Sequence, residues 1–231
     1  VNLFYQPQIP NGVHALDDEE SRHCIKVLRK QVGDIIRITD GQGSFYSATI
    51  TSTANYQCNF RIDAREQVPG KPWNIHIAIS PTKNADRIEW FVEKAVEFGV
   101  DEITLLNCAH TERSHIKTDR LLKVAVSAMK QSLKATLPCI NPLSDFNAVV
   151  NQPSSISKFI AFVDHENKVH LKDATVNNSY LVLIGPEGDF SQEELGLAVQ
   201  RGFQKVSLGN SRLRTETAAL AACHILNLIN T

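Results

Sequence analysis

Two segments near the C-terminus constrain this chain more than any other feature: Gly185-Pro186-Glu187-Gly188-Asp189-Phe190 and Leu208-Gly209-Asn210-Ser211-Arg212-Leu213-Arg214-Thr215-Glu216-Thr217-Ala218. Each follows a short apolar run that reads as a buried strand, Leu181-Val182-Leu183-Ile184 and Val206-Ser207-Leu208, and each leads into a helical pattern. In an open α/β sheet the loops that follow strand carboxyl ends form the ligand crevice. Two such loops, rich in glycine, can bring backbone N–H and C=O groups against one small molecule, because glycine has no Cβ. The polar run 212–216 falls where a strand ends and a helix begins. The Ala-rich helix behind it reads as ordinary core packing.

The preceding pattern supports an α/β class. Strands are predicted at 75–79, 103–107, 158–163, 181–185 and 205–208, alternating with helices at 86–98, 117–136, 191–201 and 215–229. That alternation argues a mainly parallel sheet covered by helices. Gly99 and Gly202 suit helix C-termini, Pro138 a stop, and Ser191 with Glu194 a capping box.

The first seventy residues follow a different rule. Residues 34–40 and 45–51 alternate apolar and polar around the turn at Gly41-Gln42-Gly43, and 57–62 read as a third strand. This is the pattern of antiparallel hairpins, interrupted by one helix at roughly 19–30, and it predicts a small β-barrel-like domain. Gln67-Val68-Pro69-Gly70-Lys71-Pro72 has the composition of a linker, which divides the chain at 1–70 and 71–231.

Several chemistries lack their sequence marks. There is no GxxxxGK[ST], no full GxGxxG after a strand, no GxSxG and no HExxH. Gly41 and Gly43 sit between two strands and read as a hairpin turn. His165 and His170 flank Glu166 without metal-ligand spacing, so no metal is expected. No apolar run approaches the length of a membrane span. The five cysteines, at 24, 58, 108, 139 and 223, are scattered and odd in number, which suits reduced thiols and a cytoplasmic location.

A formal net charge of −1 in 231 residues does not announce a nucleic-acid partner, but the charge is unevenly spread. Residues 110–140 hold six Lys or Arg against two acids. Lys123, Lys130 and Lys134 share a stripe with Ser127, and Leu122, Val126, Met129 and Leu133 form another. In the 19–30 helix Arg22, Lys26, Arg29 and Lys30 fall on one face, with Cys24, Val27 and Leu28 on the apolar side. Two readings stand for that face: contact with RNA phosphates, or bases complementing the negative end of the helix dipole.

Taken together, His23 with Val27-Leu28-Arg29, Gly33-Asp34, Asp40-Gly41, Pro81-Thr82-Lys83, Glu93-Lys94-Ala95-Val96-Glu97-Phe98-Gly99-Val100, Glu112-Arg113-Ser114, Lys130-Gln131-Ser132 and the two C-terminal segments resemble the SPOUT superfamily of RNA methyltransferases, and within it the ribosomal RNA small subunit methyltransferase E family. The resemblance spans nearly the whole chain. It departs at Asp189, Lys130 and Lys134, where the family often has Gly, Glu and Arg.

The resemblance implies a PUA-like β-barrel followed by a SPOUT-type α/β domain with a C-terminal trefoil knot. It implies S-adenosylmethionine as methyl donor, N3 of a uridine in 16S rRNA of the small ribosomal subunit as acceptor, and a homodimer with active sites at the subunit interface. The cofactor would be held by Val163, Asp164 and His165, by Ile184, Gly185, Pro186, Glu187 and Gly188, and by Leu208, Gly209, Ser211, Leu213 and Arg214. Arg214 would stabilise charge on the uridine. Glu216 would act as base or orienting acceptor, or serve as a carboxylate at a helix N-terminus. Arg22, His23, Lys26, Arg29, Lys83, Arg113, Lys130 and Lys134 would meet RNA. The alternatives are a SPOUT enzyme acting at another RNA position and a non-catalytic RNA-binding relative, which the intact C-terminal segments speak against.

Overall fold

The computed structural model describes residues 2–113, 115–152, 155–162 and 169–231. The chain divides into two compact units, one of Val1–Gly70 with Val126–Leu137, the other of Lys71–Ala125 with Pro138–Thr231.

In the first unit four strands form one sheet in the order β1-β2-β3-β4: β1 (Leu3–Tyr5), β2 (Ile35–Thr39), β3 (Ser44–Ser52) and β4 (Asn59–Gln67). β2, β3 and β4 pair antiparallel, as alternation predicts, while β1 joins β2 in parallel. β1 is three residues long and carries too little pattern to be read from sequence. Phe4, Ile36, Ile38, Tyr46, Ala48, Ile50 and Phe60 face inward and form the core. The turn before β3 is locked by Asp40, whose Oδ1 accepts from Gln42 N (2.7 Å) and Ser44 N (3.1 Å) and whose Oδ2 accepts from Tyr46 Oη (2.9 Å). Gly41 has φ +73°, and a Cβ there would lie 2.8 Å from the Tyr5 ring, so this turn needs glycine.

The helix expected over 19–30 is broken. α1 (Asp18–Arg22) is capped by Asp17, which accepts from Glu20 N at 2.8 Å, and then widens into a π turn over His23–Val27. Leu28 N donates to His23 O across that turn and Arg29 ends it with φ +54°. The wider turn changes the facing: Cys24 is fully buried, but Val27 is 65% exposed and does not belong to the apolar side.

In the second unit six parallel strands lie in the order β10-β8-β9-β5-β6-β7. They are β5 (Asn74–Ile79), β6 (Glu102–Asn107), β7 (Cys139–Asp145), β8 (Ser157–Ala161), β9 (Ser179–Ile184) and β10 (Gln204–Val206). Ile77, Ile79, Ile103, Leu105, Val182 and Leu183 are fully buried, as strands covered on both faces require. The helices are α2 (Ala85–Phe98), α3 (Thr118–Gln131), whose residues from Val126 onward belong to the first unit, α4 (Phe146–Val150), α5 (Gln192–Gln200) and α6 (Thr215–Asn230). The chain runs from β5 to β6 to β7 toward one edge, and β9 then pairs with the other side of β5. The strand order therefore reverses between β5 and β9, which places a crevice at their carboxyl ends.

Two expectations are corrected. β7 is not among the predicted strands; it carries Pro142 in its middle and follows Pro138, which reads as a helix stop. It is an edge strand with a register shift opposite Pro142, where a missing N–H is tolerated. α3 ends at Gln131 rather than 136, where Ser132 Oγ donates to Ala128 O and Leu133 adopts φ +53°. Its buried face is Leu121, Ala125, Ala128 and Met129, whereas Leu122 and Leu133 of the expected stripe are exposed.

Candidate active site at the carboxyl edge of the parallel sheet

The loops after β5, β6 and β9 are tied to one another by short polar contacts. Ser80 N donates to Ile184 O (2.9 Å), and Ser80 Oγ lies 2.8 Å from Thr111 Oγ1. Glu187 Oε1 accepts from Lys83 N at 3.1 Å. Glu194 bridges two elements: one oxygen accepts from Ser191 N at 2.8 Å, completing the predicted capping box of α5, and the other accepts from Ala109 N at 2.8 Å.

The 185–190 turn is shaped from within. Asp189 N donates to Pro186 O (3.0 Å), and His110 Nδ1 donates to Asp189 O (2.9 Å), which fixes the tautomer because a carbonyl can only accept. The glycines do not stand open to a ligand as the sequence reading supposes. A Cβ on Gly185 would lie 3.0 Å from the Phe190 ring, and one on Gly188 would lie 3.2 Å from His110 Cβ. Their smallness lets protein side chains pack against the turn. Phe190 itself stacks near Phe146, 5.7 Å between centroids, and anchors the turn in the core. Asp189 has φ +64°, a conformation glycine adopts without penalty. Burial raises its carboxyl above the usual range, against the hydrogen bond from Phe190 N and the positive charge of Arg212.

The second segment behaves differently. Gly209 has φ +130°, and among the described residues no atom beyond its chain neighbours lies within 4 Å of the point a Cβ would occupy there. Ser207 Oγ closes a small turn with Gly209 N (3.1 Å) and Gly209 O (3.0 Å). The backbone N–H groups of Leu208, Asn210, Ser211, Arg212 and Leu213 donate to no group among the described residues. A row of free donors beside a tight turn is a ready cradle for a ligand bound through main-chain groups. Val163, Asp164 and His165 lie outside the described residues.

Thr215 Oγ1 donates to Gly185 O at 3.2 Å, joining the two segments directly. Arg214 is the N-cap of α6 in extended conformation, and its exposed guanidinium has no partner among the described residues. Glu216 is 7% exposed, and its Oε1 lies 3.8 Å from Arg87 Nε on α2. Asp86, Arg87, Trp90, Glu216 and Thr217 line an open hollow of about 240 Å³, and Trp90 is 42% exposed.

The basic side chains divide into paired and free. Lys83 pairs with Glu112 at 2.9 Å, and Arg113 donates to Lys83 O at 3.2 Å, so both brace the crevice loops. Lys130 donates to the buried carboxylate of Glu20 and is committed to an ion pair. Lys134 follows the end of α3 instead of continuing its stripe. Arg22, His23, Lys26 and Arg29 are exposed. Sequence reasoning missed Arg87, His110 and Phe190, whose partners lie far away in the chain.

Comparison with known proteins agrees with this architecture. A model of the RNA methyltransferase domain matches residues 69–227, and one of the RNA methyltransferase PUA domain matches residues 16–62. The crystal structure of a probable rRNA-methyltransferase from Porphyromonas gingivalis is 44% identical, with TM-score 0.92 and 99% of each chain covered. A ribosomal RNA small subunit methyltransferase E from Neisseria gonorrhoeae, bound to S-adenosyl methionine, is 28% identical with TM-score 0.82, covering 96% of this chain and 95% of that one. The protein of the same name from Rickettsia conorii is 24% identical over 225 residues, 95% of this chain and 91% of its own length. A PUA-type unit, a parallel sheet with its crevice built from the 185–190 and 208–216 loops, and these matches along almost the entire chain together make it a member of the ribosomal RNA small subunit methyltransferase E family of RNA methyltransferases.

Proposed function

We propose that this protein uses S-adenosylmethionine to methylate N3 of a uridine in 16S rRNA of the small ribosomal subunit. The observation that carries the reading is the crevice at the β5–β9 reversal, where Thr215 fastens the 185–188 turn to the 208–213 loop and the latter offers backbone donors with no partner among the described residues. These residues fit the cofactor: Ile184, Gly185, Pro186, Glu187 and Gly188 on one side, Leu208, Gly209, Ser211, Leu213 and Arg214 on the other, with the 163–165 segment as a third contributor. When bound, S-adenosylmethionine supplies an electrophilic methyl group on a sulfonium.

Uridine N3 carries an imide proton and faces the pairing edge of the base. The base must therefore be unpaired or flipped out, and N3 must lose its proton before it is a good nucleophile. Arg214, exposed and without a partner among the described residues, stabilises the negative charge that develops on a uridine carbonyl oxygen. Glu216, held by Arg87, is an orienting acceptor or the base for that proton. The exposed Arg22, His23, Lys26 and Arg29 meet RNA phosphates, which position the substrate without reading its sequence. Lys83 and Arg113 contact RNA at the crevice rim, and Lys130 and Lys134 contribute only weakly, given the ion pair of the one and the displaced position of the other.

We read residues 1–70 as a PUA-like barrel that binds RNA and 71–231 as the methyltransferase domain. α6 leaves the β10 edge and packs on α2, β5 and β9, a return that supports a trefoil knot. The exposed Trp90, Phe98 and Leu228 on α2 and α6 support a homodimer. No helix among the described residues is long and apolar enough to cross a membrane, and the reading places the enzyme in the cytoplasm with its ribosomal substrate. The test is nucleoside mapping of 16S rRNA from a strain lacking the protein: one 3-methyluridine disappears and returns on complementation. An unchanged methylation map refutes the assignment.

A further inference from the structure

The connection between β3 and β4 holds an unusual pair. Asn55 (φ +54°) and Tyr56 (φ +60°) are consecutive residues in left-handed conformation, in a turn over Ala54–Tyr56. A bulky residue there is disfavoured by contact between its Cβ and the backbone. Burial offers no compensation, since Tyr56 is 65% exposed. What the ring does have is a cation: Lys26 Nζ sits 4.4 Å from its centroid. Lys26 belongs to the π turn, and from Arg22 to Gly33 the chain carries Arg22, Lys26, Arg29 and Lys30 with no Asp or Glu. The loop thus presents an aromatic face beside the exposed cations Arg22, Lys26 and Arg29, with the exposed acids Asp17, Asp18 and Glu19 preceding them at the start of α1.

We propose that Tyr56 is a stacking platform for an unpaired base of single-stranded RNA, with Lys26 and Arg22 holding the adjoining phosphates. The inference rests on the reading of the first unit as RNA-binding and adds a base-contacting residue to it. An aromatic ring flanked by cations is the pairing that single-stranded nucleic acid requires, because every base has a π face and every linkage a negative charge. Lys26 serves both roles: its ammonium on one face of the ring leaves the other face for a base. The π turn matters to this geometry, since it sets where the Lys26 side chain emerges relative to the β3–β4 loop.

The test measures binding of a fluorescein-labelled oligouridylate of about ten nucleotides, a length that spans one such domain, and of small ribosomal subunits from a strain lacking the protein. Tyr56→Gly removes the ring and suits the left-handed backbone, so lost binding together with a thermal midpoint at or above the parent's excludes unfolding. Tyr56→Gly is expected to weaken oligouridylate binding by about tenfold, Tyr56→Phe to bind like the parent, and Tyr56→Trp to bind with fluorescence quenched by the base. S-adenosylmethionine affinity stays unchanged in all three. Parent-like binding by Tyr56→Gly overturns the inference, as does equal loss in Tyr56→Phe, which would assign the hydroxyl instead of the ring. Weakened binding to subunits with unchanged binding to oligouridylate also overturns it, in favour of a protein contact. A parent that binds cofactor but neither RNA probe refutes the RNA-binding reading of the first unit itself.

Discussion

The hydroxyl of Thr215 donates to the carbonyl of Gly185 at 3.2 Å, so the first residue of α6 holds the turn that follows β9. Thirty residues apart in sequence, the two motifs form one structural object, and disturbing either should be felt at the other.

Thr215→Ala should lower S-adenosylmethionine affinity by about fivefold, because losing one partly buried hydrogen bond costs ~1 kcal/mol and frees the 185–188 turn. Thr215→Ser should restore most of it. Calorimetric titration of the three proteins decides; parent-like affinity in the alanine variant would make the bond incidental.

Arg214→Ala should lower the single-turnover rate by about a hundredfold, ~3 kcal/mol, at saturating cofactor and RNA, with a smaller effect on cofactor affinity. Arg214→Lys should recover little if the guanidinium contacts two acceptors. A folded variant that transfers methyl at the parent rate removes Arg214 from the chemistry.

Gly188→Val should weaken cofactor binding for a reason that sequence alone did not supply. The new side chain meets His110 Cβ, 3.2 Å from the Cβ position, and so displaces the β6 loop. His110→Gly in the same chain, which removes that Cβ, should recover part of the loss, the non-additivity expected of neighbours in contact. Strict additivity in the double variant would show that the two side chains do not compete for this space.

Apart from β7 and α4, the strand and helix order of the second unit could be read from sequence, because period, caps and glycine stops agreed. So could the importance of the 185–188 and 208–218 segments, which Thr215 joins to Gly185. The π turn could not: nothing in His23-Cys24-Ile25-Lys26-Val27 distinguishes it from an α-helix, yet it exposes Val27. Nor could the packing role of Gly185 and Gly188, since Phe190 and His110 reach them through the fold. Lys130 looked like a surface cation because its partner, Glu20, stands far earlier in the chain.

That ion pair makes a pH prediction. Burial raises the Glu20 carboxyl above its usual range, while Lys130 pulls it down. Lys130→Met leaves the carboxylate without its ion-pair partner and should cost about 2 kcal/mol at neutral pH, less than a fully buried pair because Lys130 is partly exposed. With its folded-state pKa raised above the unfolded value, Glu20 binds a proton more readily in the folded state. The deficit should therefore shrink as pH falls through the folded-state pKa. Denaturant melts across that range test the sign; a deficit that grows on acidification contradicts it.

The most direct measurement of the whole account is the identity of the methylated nucleoside made by the purified protein. Small ribosomal subunits from a strain lacking it are incubated with methyl-labelled S-adenosylmethionine, the 16S rRNA is digested to nucleosides, and the label is located by chromatography and mass spectrometry. The account predicts label in 3-methyluridine at a single position, abolished by Arg214→Ala on the same timescale. Label on a ribose hydroxyl, on another base, or nowhere in RNA despite cofactor binding would contradict it.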